Sequence, residues 1–175
     1  GNALRIWDLP KPTIAEVSGA CIAGGFMVAN SCDLVVASED AYFSDPVLHS
    51  MGAAAVEMLV HPWVLGLRKA KELLYTGGKI SAAEGKEWGM INQVVPREEL
   101  ESATMQLAEQ IAKAPPNAMR MLKRSLNRTA DMQGFRNAIN AHFETHTISS
   151  STREFWDIVN QGTKSMVESG KKSTS

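Results

Sequence analysis

The stretch "KPTIAEVSGACIAGGFMVANSCDLVVASEDAYFSDP", Lys11 to Pro46, decides the fold. Thr13, Ile14 and Val17 place β-branched side chains in a short apolar run closed by Gly19, which predicts a buried strand. Residues 24–31 read as helix, "DLVVAS" from Asp33 as a second strand, and "AYFSDP" as a third that Pro46 ends. Strand, helix and strand at this spacing make a βαβ unit with parallel pairing, so the fold class is α/β. Gly24 and Gly25 open the helix, although a glycine inside a helix costs about 1 kcal/mol against alanine. At a helix start the amides of Ala23 and its neighbours have no intrahelical partners and carry the positive end of the dipole, and glycine lets a ligand approach the main chain. An anion or a developing oxyanion can dock there; alternatively, the glycines only let helix and strand pack closely.

Outward from this unit, "NALRIWD" (residues 2–8) reads as the tail of a helix ended ahead of Pro10 and Pro12. After Pro62, Leu67, Ala70, Leu73 and Leu74 recur at helical spacing and Gly77 and Gly78 stop the helix. Ser81 with Glu84 three residues on is a capping box before a short helix, and "INQVVP" is a brief strand. From Arg97 to about residue 163 every segment is helical, broken at Pro115 and Pro116. The chain therefore divides into an α/β part, 1–96, and a helical part, 97–175, whose end "GKKSTS" from Gly170 is read as an unstructured polar tail.

The bulk properties narrow the function. A chain of 175 residues with 44% hydrophobic and 21% charged content buries one sizeable core. Net charge is −1 and the 18 Lys and Arg are scattered, so a nucleic-acid footprint is not expected. Cys21 and Cys32 lie in apolar surroundings without metal-ligand spacing, which suits buried thiols in a reducing compartment, the cytoplasm or an organelle matrix. No apolar run reaches the length of a bilayer span and no leader sequence is evident, so no membrane association is expected. No GxSxG, P-loop or Rossmann fingerprint appears, which disfavours serine hydrolase, NTPase and nicotinamide chemistry.

The Lys11 to Pro46 block resembles the signature of the crotonase superfamily, the enoyl-CoA hydratase and isomerase family: a KPxIAxVxG strand, a Gly-rich turn, a helix and a CD-containing strand. "AKELLYTGGKISAAEGKEWGMINQVVP" is similar to the family's following block, in the same order. The resemblance implies part of a spiral of ββα turns, then a helical region that builds homotrimers or dimers of trimers, and an acyl-CoA thioester as substrate with no separate cofactor. It places one backbone oxyanion donor at Ala23, and the substrate surface at Ala20, Ile22, Gly24, Met27 and Val47. It also implies roughly 80 to 100 further residues ahead of the KPxIAxVxG strand, carrying a second donor in an A-F-x-x-G-x-D type segment; this sequence has ten, as in a fragment, a cleavage product or a chain completed by a partner.

Two positions depart from the pattern. Where the family carries its acid/base glutamates, this sequence has Met27 and Val47. Asp45 and His49, at two-residue offsets from Val47, and Glu57, at the expected start of a helix after "GAAAV", are the candidates for proton transfer. Each has a structural alternative: Asp45 organising a turn, His49 satisfied on a loop, Glu57 complementing a helix dipole. A non-catalytic acyl-CoA binder or an oligomerisation module is the rival reading. "HFETH", His142 to His146, has two histidines one helical turn apart, but no third ligand, and is expected to be a solvated or interface face. Arg120, Lys123, Arg124 and Arg128 share a helix whose other side is apolar, a solvated face or a contact for CoA phosphates.

Overall fold

The computed structural model describes residues 2–172. The run that begins at Thr13 forms two strands, not one. Strand β1 (Ile14–Val17) ends where Gly19, at φ +62°, turns the chain into β2 (Ala20–Ile22), and the two lie in different sheets. The helix α2 (Gly24–Ala29) follows, and the pattern of two strands and a helix repeats in β3 (Leu34–Ser38), β4 (Tyr42–Ser44) and α3 (Val47–Met51). Each strand of the second turn pairs in parallel with its counterpart in the first: Ile14 faces Leu34, and Ala20 faces Tyr42. Later in the chain, β5 (Ile80–Ser81) adds antiparallel to β4, and β6 (Gln93–Val95) adds parallel to β3. The result is two three-stranded sheets, β1-β3-β6 and β2-β4-β5, on a spiral path of ββα turns. The expected βαβ unit is present, and what periodicity alone did not separate is the pair of strands on either side of Gly19.

Between them lie α4 (His61–Leu65), α5 (Leu67–Thr76), stopped by Gly77 in the left-handed region, and α6 (Ala82–Glu87), which opens on the full Ser81/Glu84 capping box. The core joins the two sheets to these helices through Phe26, Val35, Phe43 and Val60, all buried. After a 3₁₀ turn at Arg97–Glu99 come α7 (Leu100–Ala112), α8 (Pro116–Met132), α9 (Phe135–Ser149) and α10 (Arg153–Lys172). Gly170 to Lys172 are thus helical where a tail was expected, since no proline follows to stop the helix; residues 173–175 lie outside the described residues.

Two of the ties between the helical half and the α/β half lie near the start of the chain. The first helix, α1 (Asn2–Trp7), stacks Trp7 on Phe135 of α9 at 4.5 Å between ring centroids, and Asn127 donates to the Trp7 carbonyl. Buried Lys123 of α8 pairs with Asp33 at 2.7 Å and donates to the Lys11 carbonyl, while Asp33 also accepts from the Thr13 amide and hydroxyl. One member of the basic set on α8 is therefore a structural tie between the far end of α2 and the start of β1.

Candidate active site

Ala23 is the hinge of the glycine turn, at φ 49° and ψ −109°, a conformation uncommon for a residue with a Cβ. Its amide donates to the Ser44 carbonyl at 2.9 Å. The expectation that Ala23 supplies the free donor is therefore corrected: the β2–β4 ladder, with Ile22 opposite Ser44, extends one residue further and uses that N–H. The next amides in the chain, those of Gly24 and Gly25, open α2 and have no partner among the described residues. Both glycines are exposed.

Their role can be tested against the packing alternative. A Cβ built at Gly24 meets nothing within 4 Å, and one at Gly25 meets only Cys21 Sγ at an ordinary 3.8 Å. Neither glycine is required by the packing of this chain. What they leave is bare main chain facing open space, at the end of a helix where unbonded donors concentrate positive potential.

The two positions where glutamates were expected come together beside this turn. Val47, Ala53 and Val56 form a buried apolar cluster against which Ala23, Met27 and Phe155 of α10 pack. Met27 and Val47 are thus neighbours of the hinge, and neither carries a proton. Ala20 and Ile22 stand on the exposed side of β2, with buried Cys21 between them.

The three titratable candidates have separate fates. Asp45 is fully buried and occupied: Oδ1 accepts from the Val47 amide and Oδ2 from the Val56 amide, each at 3.2 Å. His61 Nε2 stands 3.2 Å from Oδ2, close enough for electrostatic attraction but off the line of a good hydrogen bond, and its Nδ1 has no partner. Burial pushes the Asp45 carboxyl up, but the His61 ring and the two amides outweigh it and hold it below the usual carboxylate range. Asp45 is the turn organiser, not a free acid. His49 shares a 2.8 Å hydrogen bond between Nε2 and the Tyr75 carbonyl and lies against Gly77, so it closes the end of α5. Glu57 is exposed, but sits in a bend; the helix expected at that point begins later, at His61. Among the described residues the Glu57 carboxylate has no partner, and of the three candidates it alone is uncommitted.

Several residues that position the site carried no decisive sequence signal. His61 lies flat on Phe26 at 4.4 Å, beneath α2. His142 Nε2 and His146 Nδ1 reach the Val56 and Ala55 carbonyls, each at 2.9 Å, and the Ser149 hydroxyl accepts from the Ala54 amide. The "HFETH" pair is therefore a clamp on the loop that carries Ala53 and Val56: of the expected solvated or interface face, the rings take a contact with another segment of the chain. Burial holds the His142 ring below its ordinary value, with the Val56 carbonyl opposing. No group of three or more metal-ligating side chains occurs among the described residues.

The sequence and the fold have counterparts in known proteins. A probable enoyl-CoA hydratase from Mycobacterium smegmatis superposes with a TM-score of 0.82 at 50% identity over 84% of this chain and 59% of its own. An enoyl-CoA hydratase/isomerase from Xanthobacter autotrophicus Py2 superposes with a TM-score of 0.85 at 31% identity, over 95% of this chain and 64% of its own. In sequence, the "Putative enoyl-CoA hydratase EchA13" of Mycobacterium tuberculosis is 44% identical over 85% of this chain and 46% of its own length. The chain thus spans about half the length of that curated relative. The family model described as enoyl-CoA hydratase/isomerase matches residues 2–173, and with the ββα spiral and the glycine turn this chain belongs to that family, within the crotonase superfamily.

Proposed function

We propose that this chain forms part of an enoyl-CoA hydratase or isomerase in which the Gly24 amide receives the oxygen of an acyl-CoA thioester. The observation that carries the reading is the unbonded Gly24 N–H, on exposed main chain that packing does not require to be glycine. Relatives support the substrate class: a mevalonyl-coenzyme A hydratase of Aspergillus fumigatus and a carnitinyl-CoA dehydratase of Salmonella paratyphi B are each 34% identical over 75% of this chain. An amide aimed at an oxygen that gains charge as the α-carbon loses its proton favours the enolate over the ground state, by about 2.7 to 4 kcal/mol per donor. Ala23 serves this geometry through its backbone bend. Glu57 moves the proton, a role worth about 100- to 10,000-fold, because Asp45 and His49 are committed elsewhere.

The helices α8 and α9 leave Met121, Leu122, Leu126, Phe143 and Ile148 exposed, and we assign this surface to self-association as a homotrimer or dimer of trimers. No helix among the described residues is long and apolar enough to cross a membrane. The cytoplasm or an organelle matrix remains the proposed compartment.

A second reading, an acyl-CoA binder without catalysis, is favoured by one observation: Met27 and Val47 join an apolar cluster where the family resemblance calls for acids. Crotonyl-CoA separates the two. For the enzyme, hydration is followed by loss of the enoyl-thioester absorbance; Gly24→Val abolishes binding and turnover, and Glu57→Gln lowers turnover while sparing binding. Binding without turnover in the unsubstituted protein establishes the second reading, and full turnover in Gly24→Val overturns the first.

A further inference from the structure

Among the described residues, two other than glycine have a positive φ, Ala23 at 49° and Ala55 at 61°. A bend of this kind is costly for a residue with a Cβ, and it persists only where neighbouring contacts hold it. Both stand in the candidate site. Ala23 precedes the Gly24 amide at the start of α2, and Ala55 lies two residues ahead of Glu57. The contacts that hold Ala55 and its neighbour are polar and come from two elements: His146 Nδ1 and His142 Nε2 of α9 meet the Ala55 and Val56 carbonyls, each at 2.9 Å, while Asp45 Oδ2 accepts from the Val56 amide at 3.2 Å. Ala23 is held by its amide bond to Ser44, and Phe26, three residues further on, is fully buried beneath it.

One side chain touches both arrangements. His61, the first residue of α4, is fully buried, lies flat on Phe26 with 4.4 Å between ring centroids, and stands with Nε2 3.2 Å from Asp45 Oδ2. Packing does not call for a histidine there. A phenyl ring would keep the stack without burying a polar atom, whereas the imidazole leaves Nδ1 without a partner among the described residues. Nor is the ring needed to complete the hydrogen bonds of Asp45, whose two oxygens already accept from the Val47 and Val56 amides. What the ring adds is orientation. Its edge stands against Oδ2, the oxygen that holds Val56, and its face rests on the helix that begins at Gly24.

Resting on the assignment of Gly24 as thioester donor and Glu57 as proton carrier, we propose that His61 is the positioning residue that fixes residues 55–57 relative to the glycine turn, through Asp45 on one side and Phe26 on the other. Being buried, it touches neither substrate nor reacting atoms. It acts through Oδ2 of Asp45, which sets the Val56 amide and with it the residue that follows, Glu57. A misplacement of about 1 Å between a reacting group and its target costs about 100-fold in rate. Loss of the ring nitrogen therefore falls on kcat, while a thioester still finds the Gly24 amide and KM is kept.

Hydrogen exchange of the Val56 amide, followed by NMR, and steady-state hydration of crotonyl-CoA, both on the whole protein, test this role. His61→Phe keeps the stack and drops the nitrogen, and is expected to speed Val56 exchange at least tenfold and to lower kcat at least tenfold with KM unchanged within twofold. His61→Gln returns an N–H group beside Asp45 and is expected to recover part of both losses. In a Glu57→Gln background, His61→Phe is expected to lower kcat by less than a further twofold, because the two residues serve one step; a side chain that only stabilises the fold would cost the same factor in either background. Circular dichroism and melting temperature confirm that the variants are folded; if His61→Phe is not, His61→Gln alone is used and a threefold change in exchange and kcat is expected. Unchanged Val56 exchange in a folded variant, or the same loss of kcat in both backgrounds, would overturn the proposal. If the unsubstituted protein does not hydrate crotonyl-CoA, or if Glu57→Gln leaves turnover intact, it is the functional assignment that fails, and Val56 exchange alone then decides whether His61 holds the loop.

Discussion

Asp45→Ala distinguishes a carboxylate that builds the site from one that reacts in it. In the native structure the two Asp45 oxygens satisfy the Val47 and Val56 amides, and the buried His61 ring stands 3.2 Å away. Removal of the carboxylate strands two buried N–H groups, each at a cost of about 1–3 kcal/mol, and leaves an imidazole without its counterpart. Cavity formation adds to that cost, so the expected destabilisation is about 3–5 kcal/mol, in the range for two buried donors left unpaired. With a urea dependence of about 2 kcal/mol per molar, the unfolding midpoint falls by about 2 M. Asp45→Asn keeps the volume and one acceptor, and costs about half as much. The pH dependence gives an independent sign. Because the folded carboxyl lies below its ordinary value, the unfolded chain takes up the proton first as pH falls. Its stabilisation is complete above the ordinary carboxylate range, disappears as pH falls through the folded value, and is absent from the Asn variant. Urea titrations across that range measure both effects. A change below about 1 kcal/mol, together with turnover lost in a folded Asp45→Asn protein, would refute the structural assignment and make Asp45 an acid or base after all.

Three further substitutions examine the same region. Ala23→Gly relieves a left-handed φ while keeping the amide bond to Ser44, and is expected to raise stability by about 0.5–2 kcal/mol in thermal unfolding, the net of strain relief and glycine's entropy. Gly52→Ala puts a Cβ at φ +68° and 2.8 Å from Ile158 Cδ1, so a loss of about 1–3 kcal/mol and faster proteolysis of α10 are expected. His142→Ala strips the Val56 carbonyl of its donor, for about 1–2 kcal/mol by urea unfolding. Since burial lowers the His142 value, the native protein loses stability on acidification from neutral pH below the ordinary histidine range, and the variant loses less.

Local rules made much of this fold legible. β-Branched runs, the capping box at Ser81 and the glycine stop at Gly77 all depend on a few adjacent residues, and the structure contains each of them. The spiral was harder to see, because β1 and β2 are separated only by Ser18 and Gly19 and belong to different sheets. Periodicity records alternation along a strand, but not the layer into which a bend sends the next one. The candidate site suffers from the same limit more severely. Asp45 and His61 are sixteen positions apart, and His142 meets Val56 across eighty-six. A histidine ahead of a proline in the apolar run "MLVHPWVL" was a usable sign of a buried polar group, yet nothing local named its partner. That the Ala23 amide is occupied escaped the sequence for a comparable reason: whether an amide is free depends on the strand beside it, here on the carbonyl of Ser44.

The proposed use of a main-chain donor bears on how the site tolerates its own sequence. A donor that belongs to the main chain survives any side-chain change that preserves the bend, and Ala23 holds the bend without glycine's freedom. A proton carrier has no such protection, because a methionine or valine at positions 27 and 47 removes it outright. The neighbouring side chains match those changes: Ala53, Val56 and Phe155 close around Met27 and Val47, and a carboxylate placed among them would lose hydration against apolar walls. Reinstating a glutamate at position 27 alone should therefore destabilise the chain rather than increase turnover, unless the Ala53–Val56 loop opens. The clamp from His142, His146 and Ser149 holds that loop closed, so the apolar lining and the buried hydrogen bonds beneath it constitute one coupled arrangement.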